Sequence, residues 1–336
     1  MILCHIAESV YTGGIRRSAC IRFFSEDDQS MLFCQSGNDW FVTNKQRCRA
    51  NKSVVLLRST LDMDKFYKYM DIIKANRTGE PGLFLTNNLD TCSNPCCEIG
   101  LNPFQFCNLT EINCSNIESQ EDLNERCKCA SFIGTLQATY TDFPYIRKIW
   151  KEQTEKEALL GVSLTGIASL DKEYNFKEAA EIVKETNKKW SKILNINSAA
   201  RLTCIKPAGC TSCVFGCSSG IHQYFSNYYI RRLRLGKNEP IYKYLINTTP
   251  ELLEDDVMYP QMNSVLSIPI KAPDNAITRK DENVINFLEK IKRFYKDWVL
   301  NGHISGLNTH NISATVTLYE KDFEVVKTWM WKNINY

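Results

Sequence analysis

At 336 residues, with 43% hydrophobic and 24% charged side chains, the chain has the make-up of a soluble globular protein long enough to bury a sizeable core. A net charge of +3 is too small to steer it to nucleic acid or an anionic membrane, and no apolar run approaches the ~18 residues of a membrane span. Fifteen cysteines in a chain of this length do not read as a secreted disulfide scaffold. The first apolar stretch, interrupted by Cys4, His5 and Glu8, does not read as a signal peptide. The expectation is a reducing, cytoplasmic setting with most thiols filling the core.

Residues 1–8 look like the middle of a helix, without a capping residue. They run into Gly13-Gly14-Ile15-Arg16-Arg17. Its glycines permit backbone conformations closed to other residues, and its arginines can grip phosphate or a nucleobase. A plain turn with solvated arginines is the alternative. Residues 20–24 and 31–34 read as strands around an acidic turn, and Ala50-Asn51-Lys52-Ser53-Val54-Val55 follows a polar stretch. The apolar period predicts a helix over 61–77, stopped by Gly79-Glu80-Pro81-Gly82, which opens a strand over 82–85.

That strand leads to Asn94-Pro95-Cys96-Cys97-Glu98, with Cys107 a little further on. If 94–98 is extended, side chains two apart share a face, so Asn94, Cys96 and Glu98 point one way and Cys97 the other. The shared face offers a sulfur, a base and an amide to orient either. Two plainer readings compete: buried core cysteines, and a metal site built from Cys and Glu. The adjacency of Cys96 and Cys97 argues against metal, because neighbours on a strand diverge.

Residues 119–196 read as mostly helical, interrupted by the small, apolar Leu160-Gly161-Val162-Ser163-Leu164-Thr165-Gly166, a buried strand. Cys127 and Cys129 lie in a helical segment and read as core. A strand over 201–206 enters Pro207-Ala208-Gly209-Cys210-Thr211-Ser212, where a small-residue turn is followed by a helix capped by Thr211 and Ser212. Strand, tight turn and helix start together suit phosphate binding by backbone amides. The Gly-x-x-x-x-Gly-Lys of a Walker loop is absent. Cys204, Cys210, Cys213 and Cys217 are the chain's best metal candidates by spacing. Residues 228–235 alternate apolar and basic as a strand with one wet face, or as a weak nucleic-acid stripe. A strand over 264–269 and an amphipathic helix over 279–300 follow. Gly306-Leu307-Asn308-Thr309-His310-Asn311 then leads to a strand, and a final helix carries Trp329 and Trp331. His310 can be structural. No repeat or linker marks a domain boundary.

The string Asn94-x-Cys96-x-Glu98 resembles the active-site loop of ribonucleotide reductases. Its spacing to Cys107 is most similar to the monomeric adenosylcobalamin-dependent (class II) reductases of ribonucleoside triphosphates. Other strings match in the same order: the Gly-Gly-Ile-Arg and Ala-Asn-Lys-Ser-Val runs, 160–166, Lys206 to Thr211, Ser218-Ser219-Gly220-Ile221-His222 with Tyr228-Tyr229-Ile230-Arg231-Arg232, and Asn308-Thr309-His310-Asn311. Two departures stand out: lysine at position 52 and cysteine at position 210, where the family has asparagine and threonine.

The resemblance implies an α/β fold, part of a ten-stranded α/β barrel threaded by a finger loop and incomplete at both ends. It implies one partial domain over 1–336, made of a specificity-loop region (1–60), a finger region (61–118), and helices, phosphate loop and later barrel strands (119–336). The implied activity is reduction of ribonucleoside triphosphates to 2′-deoxyribonucleotides, with adenosylcobalamin as cofactor and no metal site. Cys96 is then the radical thiol, Glu98 the general base, Asn94 the amide that holds either that carboxylate or the 2′-hydroxyl, and Cys107 half of a reducing dithiol. Pro207, Ala208, Gly209, Cys210 and Thr211 hold the substrate phosphates, and Gly13, Gly14, Ile15, Arg16 and Arg17 form the specificity loop. A deoxynucleotide effector and a thioredoxin-like reductant are implied, with no direct nucleic-acid or membrane partner. Members of the family are about twice this length, and the cysteine paired with Cys107 belongs to a segment upstream. The chain therefore reads as a central piece of a reductase, from a split gene, a truncated copy or a fragment. A second chain supplying the other barrel half is one of these alternatives, and no turnover is expected of this chain alone. An inactive nucleotide-binding remnant and a Cys-ligated metal protein are the rival readings.

Overall fold

The computed structural model describes residues 2–9, 19–37 and 39–336. In chain order these form α1 (Ile2–Ser9), β1 (Cys20–Phe24), α2 (Gln29–Leu32), α3 (Trp40–Thr43), β2 (Ala50–Leu57), α4 (Met63–Asn76) and β3 (Gly82–Thr86). The short strands β4 (Cys92–Ser93) and β5 (Gly100–Leu101) precede β6 (Asn108–Asn113), α5 (Gln120–Gln137), α6 (Ile149–Glu157), β7 (Leu160–Thr165), α7 (Phe176–Leu194) and β8 (Thr203–Cys204). Then come α8 (Gly209–Phe215), β9 (Tyr228–Gly236), α9 (Pro240–Thr248), β10 (Leu253–Asp255), β11 (Asn263–Lys271), α10 (Val284–Phe294) and α11 (Phe323–Lys332).

Two parallel sheets organise the molecule. One has the order β1-β2-β3 and the other β6-β7-β8, each strand returning through helices as parallel pairing requires. A parallel bridge from Ile205 to Ile312 continues the second sheet. Every residue of β7 is buried, which explains its run of small and apolar side chains: helices cover one face and the site covers the other. Its core packs Leu160, Val162 and Leu164 against Leu123 and Cys127 of α5, Val183 of α7 and Trp298. The first sheet packs Val54 and Leu56 on Tyr69 of α4.

Caps place the long helices. Ser119 accepts from the Asp122 amide to start α5, and Asn175 from the Glu178 amide to start α7. Five local expectations change. The strand expected after Asn311 is reduced to the single bridge at Ile312. Residues 31–34 are not a strand, because the Asp28 side chain caps the Met31 amide and turns the chain into α2. Helix α8 begins at Gly209, with Ala208 at its N-cap, so Thr211 and Ser212 lie inside it rather than capping it. The amphipathic helix begins later than position 279, where the Asn283 side chain caps α10. Residues 228–236, which the resemblance places among the later barrel strands, are not a barrel strand. They pair antiparallel with β11, and β10 joins on the other side of β11, forming a separate sheet with a wet face.

Candidate active site

The finger is the hairpin β4–β5, and residues 94–99 form its tip. The tip is not extended. The Cys97 amide donates to the Asn94 carbonyl at 2.9 Å, closing a turn with Pro95 at its second position, and Cys97 takes φ 65°. The turn nevertheless separates the two cysteines. Cys96 is exposed, whereas Cys97 is part-buried and lines a cavity with Ser93 and His310. Burial, then the Glu98 carboxylate and the Cys97 thiol, push the Cys96 thiol up, and Lys206 pulls it back. Cys97 is also raised, mainly by burial; it bonds Ser93 and feels Glu80 instead of Lys206. Of the two thiols, only Cys96 feels the charge of Lys206.

Glu98 is 3% exposed, and its Oε2 has no hydrogen-bond partner. Burial raises its carboxyl above the ordinary range, and the Asn94 side chain and Lys206 counter that. Asn94 also accepts from the Ile99 amide through Oδ1 at 3.0 Å, which fixes it under the tip. Cys107 is half-buried just before β6, its Sγ facing the backbone of Gly161 on β7. Burial pushes its thiol well up, and the charge of Glu98 adds to this. One carboxylate therefore acts on both Cys96 and Cys107.

Four groups that the sequence reading left out of the site hold this arrangement. Lys206 forms an ion pair with Glu111 of β6 at 3.1 Å, and Glu111 is otherwise a buried carboxylate accepting no aligned hydrogen bond. Asn51 donates to the Pro95 carbonyl at 2.8 Å, so the Ala-Asn-Lys-Ser-Val string grips the finger tip. His310 is buried and neutral, its pKa lowered to about 3 by burial. It accepts from the Gly100 amide at Nδ1 (3.1 Å) and donates from Nε2 to the Leu160 carbonyl (2.7 Å). The Asn311 amide donates to the Glu98 carbonyl at 2.8 Å. Asn51 and His310 sit in strings already singled out, but nothing in a string says which neighbour it clasps.

Pro207 and Ala208 form the turn that leads from the second sheet into α8. First-turn amides of a helix have no partner within it; the Gly209 amide donates to the Pro207 carbonyl at 3.0 Å, which leaves those of Cys210 and Thr211 available. Nothing lies within 4 Å of the position a Cβ would take on Gly209, so the approach to these amides is open. Behind the loop, a Cβ on Gly220 would meet the Lys206 carbonyl at 2.6 Å, so the Ser-Ser-Gly string packs directly beneath it. Gly13, Gly14, Ile15, Arg16 and Arg17 lie outside the described residues.

Cys210 and Cys213 are exposed while Cys204 and Cys217 are buried, so the four do not converge. Among the described residues no three or more His, Cys, Asp or Glu side chains are grouped to hold a metal ion. Protein purified without added metal is expected to carry well under one zinc or iron per chain. Stoichiometric metal that disappears in a Cys210→Ser/Cys213→Ser double variant would overturn this. Among the same residues no helix is long and apolar enough to cross a membrane.

The fold is that of part of a class II ribonucleotide reductase, a partial α/β barrel. A crystal structure of a B-12 dependent (class II) ribonucleotide reductase matches with a TM-score of 0.70 at 20% identity, covering 97% of this chain and 49% of that one. In sequence, the chain is 26% identical over 335 residues to the adenosylcobalamin-dependent ribonucleoside-triphosphate reductase of Euglena gracilis, covering 91% of this chain and 42% of the relative. It is 26% identical over 325 residues to the same-named protein of Lactobacillus leichmannii, covering 80% and 41%. The chain thus spans about two-fifths of the length of these curated relatives. No family model matches it. Sequence and fold both support the resemblance first seen in Asn94-x-Cys96-x-Glu98.

Proposed function

We propose that this chain carries the radical thiol, general base and substrate phosphate loop of an adenosylcobalamin-dependent ribonucleoside-triphosphate reductase. The observation that supports this most is the placement of one buried carboxylate, Glu98, beside an exposed thiol and a sheltered one. Cys96 suits the radical role because it alone of the two finger cysteines is open at the tip, within reach of a bulky radical-generating cofactor. Adenosylcobalamin, when bound, supplies the one-electron chemistry that takes the hydrogen atom from this thiol.

The remaining steps belong to the chain's own residues. The Cys96 sulfur removes the 3′ hydrogen of the ribose, a feasible exchange because the two bonds to hydrogen are of comparable strength. Glu98 takes the 3′-hydroxyl proton, one of the two reducing thiols gives its proton to the 2′-hydroxyl, which leaves as water, and Asn94 holds the carboxylate in line. Cys107 is one of the two thiols whose joint oxidation to a disulfide provides the two electrons. The amides at the start of α8 hold the phosphates. A deoxynucleotide effector addressing residues 13–17, a thioredoxin-like reductant, and a second chain pairing with the open edge of β6 belong to the same proposal. The test is an anaerobic assay with adenosylcobalamin, a ribonucleoside triphosphate and dithiothreitol, with and without candidate partner chains, counting deoxynucleotide. Nucleotide binding without product under every combination would favour an inactive remnant.

Lys206 gives this proposal a pH signature. Because Lys206 favours the ionised form of Glu98, replacing it with methionine raises the Glu98 carboxyl further. The base form then appears only at higher pH, so the acid limb of kcat/KM moves up. The single variant also leaves Glu111 buried and unpaired, so Lys206→Met/Glu111→Gln is the companion that removes both charges. An unmoved acid limb in both variants would show that Lys206 does not tune the base.

A further inference from the structure

Cys210 and Cys213 are left over from the reading above, which gives the phosphate loop amides to work with and no use for sulfur. Both thiols are exposed, three residues apart on the seven-residue α8. Residues at this spacing are neighbours on a helix face: their α-carbons lie ~5 Å apart by helix geometry, inside the range a disulfide bridges. Cys213 Sγ already contacts two polar groups, the Gly209 carbonyl at 3.1 Å and the Arg231 guanidinium of β9 at 2.9 Å. The other sulfur of the helix neighbourhood, Cys217, is 2% exposed and lies behind the loop.

We propose that Cys210 and Cys213 are a reversible dithiol whose oxidation distorts the first turn of α8 and weakens triphosphate binding there; the second half rests on the phosphate-loop reading above. The co-reactant is a small disulfide of the glutathione class. One thiol, as thiolate, attacks the external S–S bond, forming a mixed disulfide and expelling one small thiol. The second thiol attacks that mixed disulfide, forms the internal S–S bond and expels the other. The protein loses two hydrogens and two electrons, and one external disulfide becomes two thiols.

The distortion follows from geometry. Side-chain β-carbons three apart on a helix are about 5–6 Å apart, whereas a disulfide holds them at about 3.5–4.5 Å. The bond can form only if the first turn tightens and Cys213 leaves the Gly209 carbonyl and Arg231. The helix can yield, because it is short and ends at Gly216 in a left-handed conformation (φ 66°). The amides of Cys210 and Thr211 then no longer point together. Strain of this kind also makes a disulfide easier to reduce, which suits a switch over a permanent staple.

The full chain is titrated with glutathione disulfide, the remaining thiols are alkylated, and the bridge is mapped by peptide mass spectrometry. Inorganic tripolyphosphate binding is measured on reduced, oxidised and dithiothreitol-recovered protein. The expected result is a Cys210–Cys213 bridge, about tenfold weaker tripolyphosphate binding when oxidised, and full recovery on reduction. Cys213→Ser is expected to bind tripolyphosphate and to ignore the oxidant. The proposal is overturned if the oxidised protein carries only separate glutathione adducts, if Cys213 pairs with Cys217, or if the bridge forms and affinity stays the same. Reduced protein that binds no tripolyphosphate would sink the phosphate-loop reading instead, and the mapped bridge alone would then decide whether the dithiol stands.

Discussion

Cys96→Ser is expected to abolish deoxynucleotide formation in an assembled reductase while triphosphate binding persists, and Cys97→Ser is expected to keep turning over. The asymmetry comes from the turn at the finger tip. Cys96 is exposed on the side that feels Lys206, and Cys97 is folded inward against Ser93. A serine hydroxyl holds its hydrogen too strongly to give it up to a radical and take it back, so the substitution removes the chemistry and leaves the shape. In kinetic terms the loss falls on kcat with binding unchanged, the pattern of a group needed only beyond the ground-state complex. Cys97 occupies a left-handed position that serine tolerates no worse, and its replacement removes only a part-buried thiol. Activity surviving in Cys96→Ser, with loss in Cys97→Ser, would reverse the assignment.

The sequence carried the residue types of the candidate site better than their geometry. Asn94, Cys96 and Glu98 were legible as a triplet, but the alternation argument that grouped them assumed an extended tip. The chain turns there, because proline at 95 favours the second position of a turn, and the grouping survives through the turn instead. Residues 228–236 show the opposite failure. Their alternation correctly predicted a strand with a wet face, yet alternation says nothing about which sheet a strand joins, and it lies outside the parallel sheets. Likewise 31–34 are apolar enough for a strand, but a single Asp28 cap decides for helix. The clasp residues were least legible. Asn51 and His310 act on backbone atoms 44 and 210 positions away in sequence, and no local pattern encodes contacts of that range.

That clasp supports the second large effect, expected from Gly100→Ala. Gly100 sits at the base of the finger, and a β-carbon there would lie 2.6 Å from the Thr309 carbonyl oxygen, a backbone atom that cannot rotate away. Either β5 or the 308–311 segment must move. The same few residues carry the hydrogen bonds that hold the finger: Gly100 amide to His310 Nδ1, and Asn311 amide to the Glu98 carbonyl. His310 cannot follow freely, because its other nitrogen is fixed on Leu160 in the buried core of β7. Relief of the clash therefore shifts Glu98 relative to the strand ends that present Cys107 and Lys206. Overpacking of this kind costs about 1–3 kcal/mol of stability. A displacement of ~1 Å at the reacting groups costs about a hundredfold in rate. The expected result is a modest fall in melting temperature with a far larger fall in kcat of the assembled enzyme. His310→Gln, which keeps a side chain able to donate and accept without adding bulk, is expected to lose less. Gly100→Ala at near wild-type kcat would show that the finger is held from its tip, by Asn51 and Asn94, and not from its base.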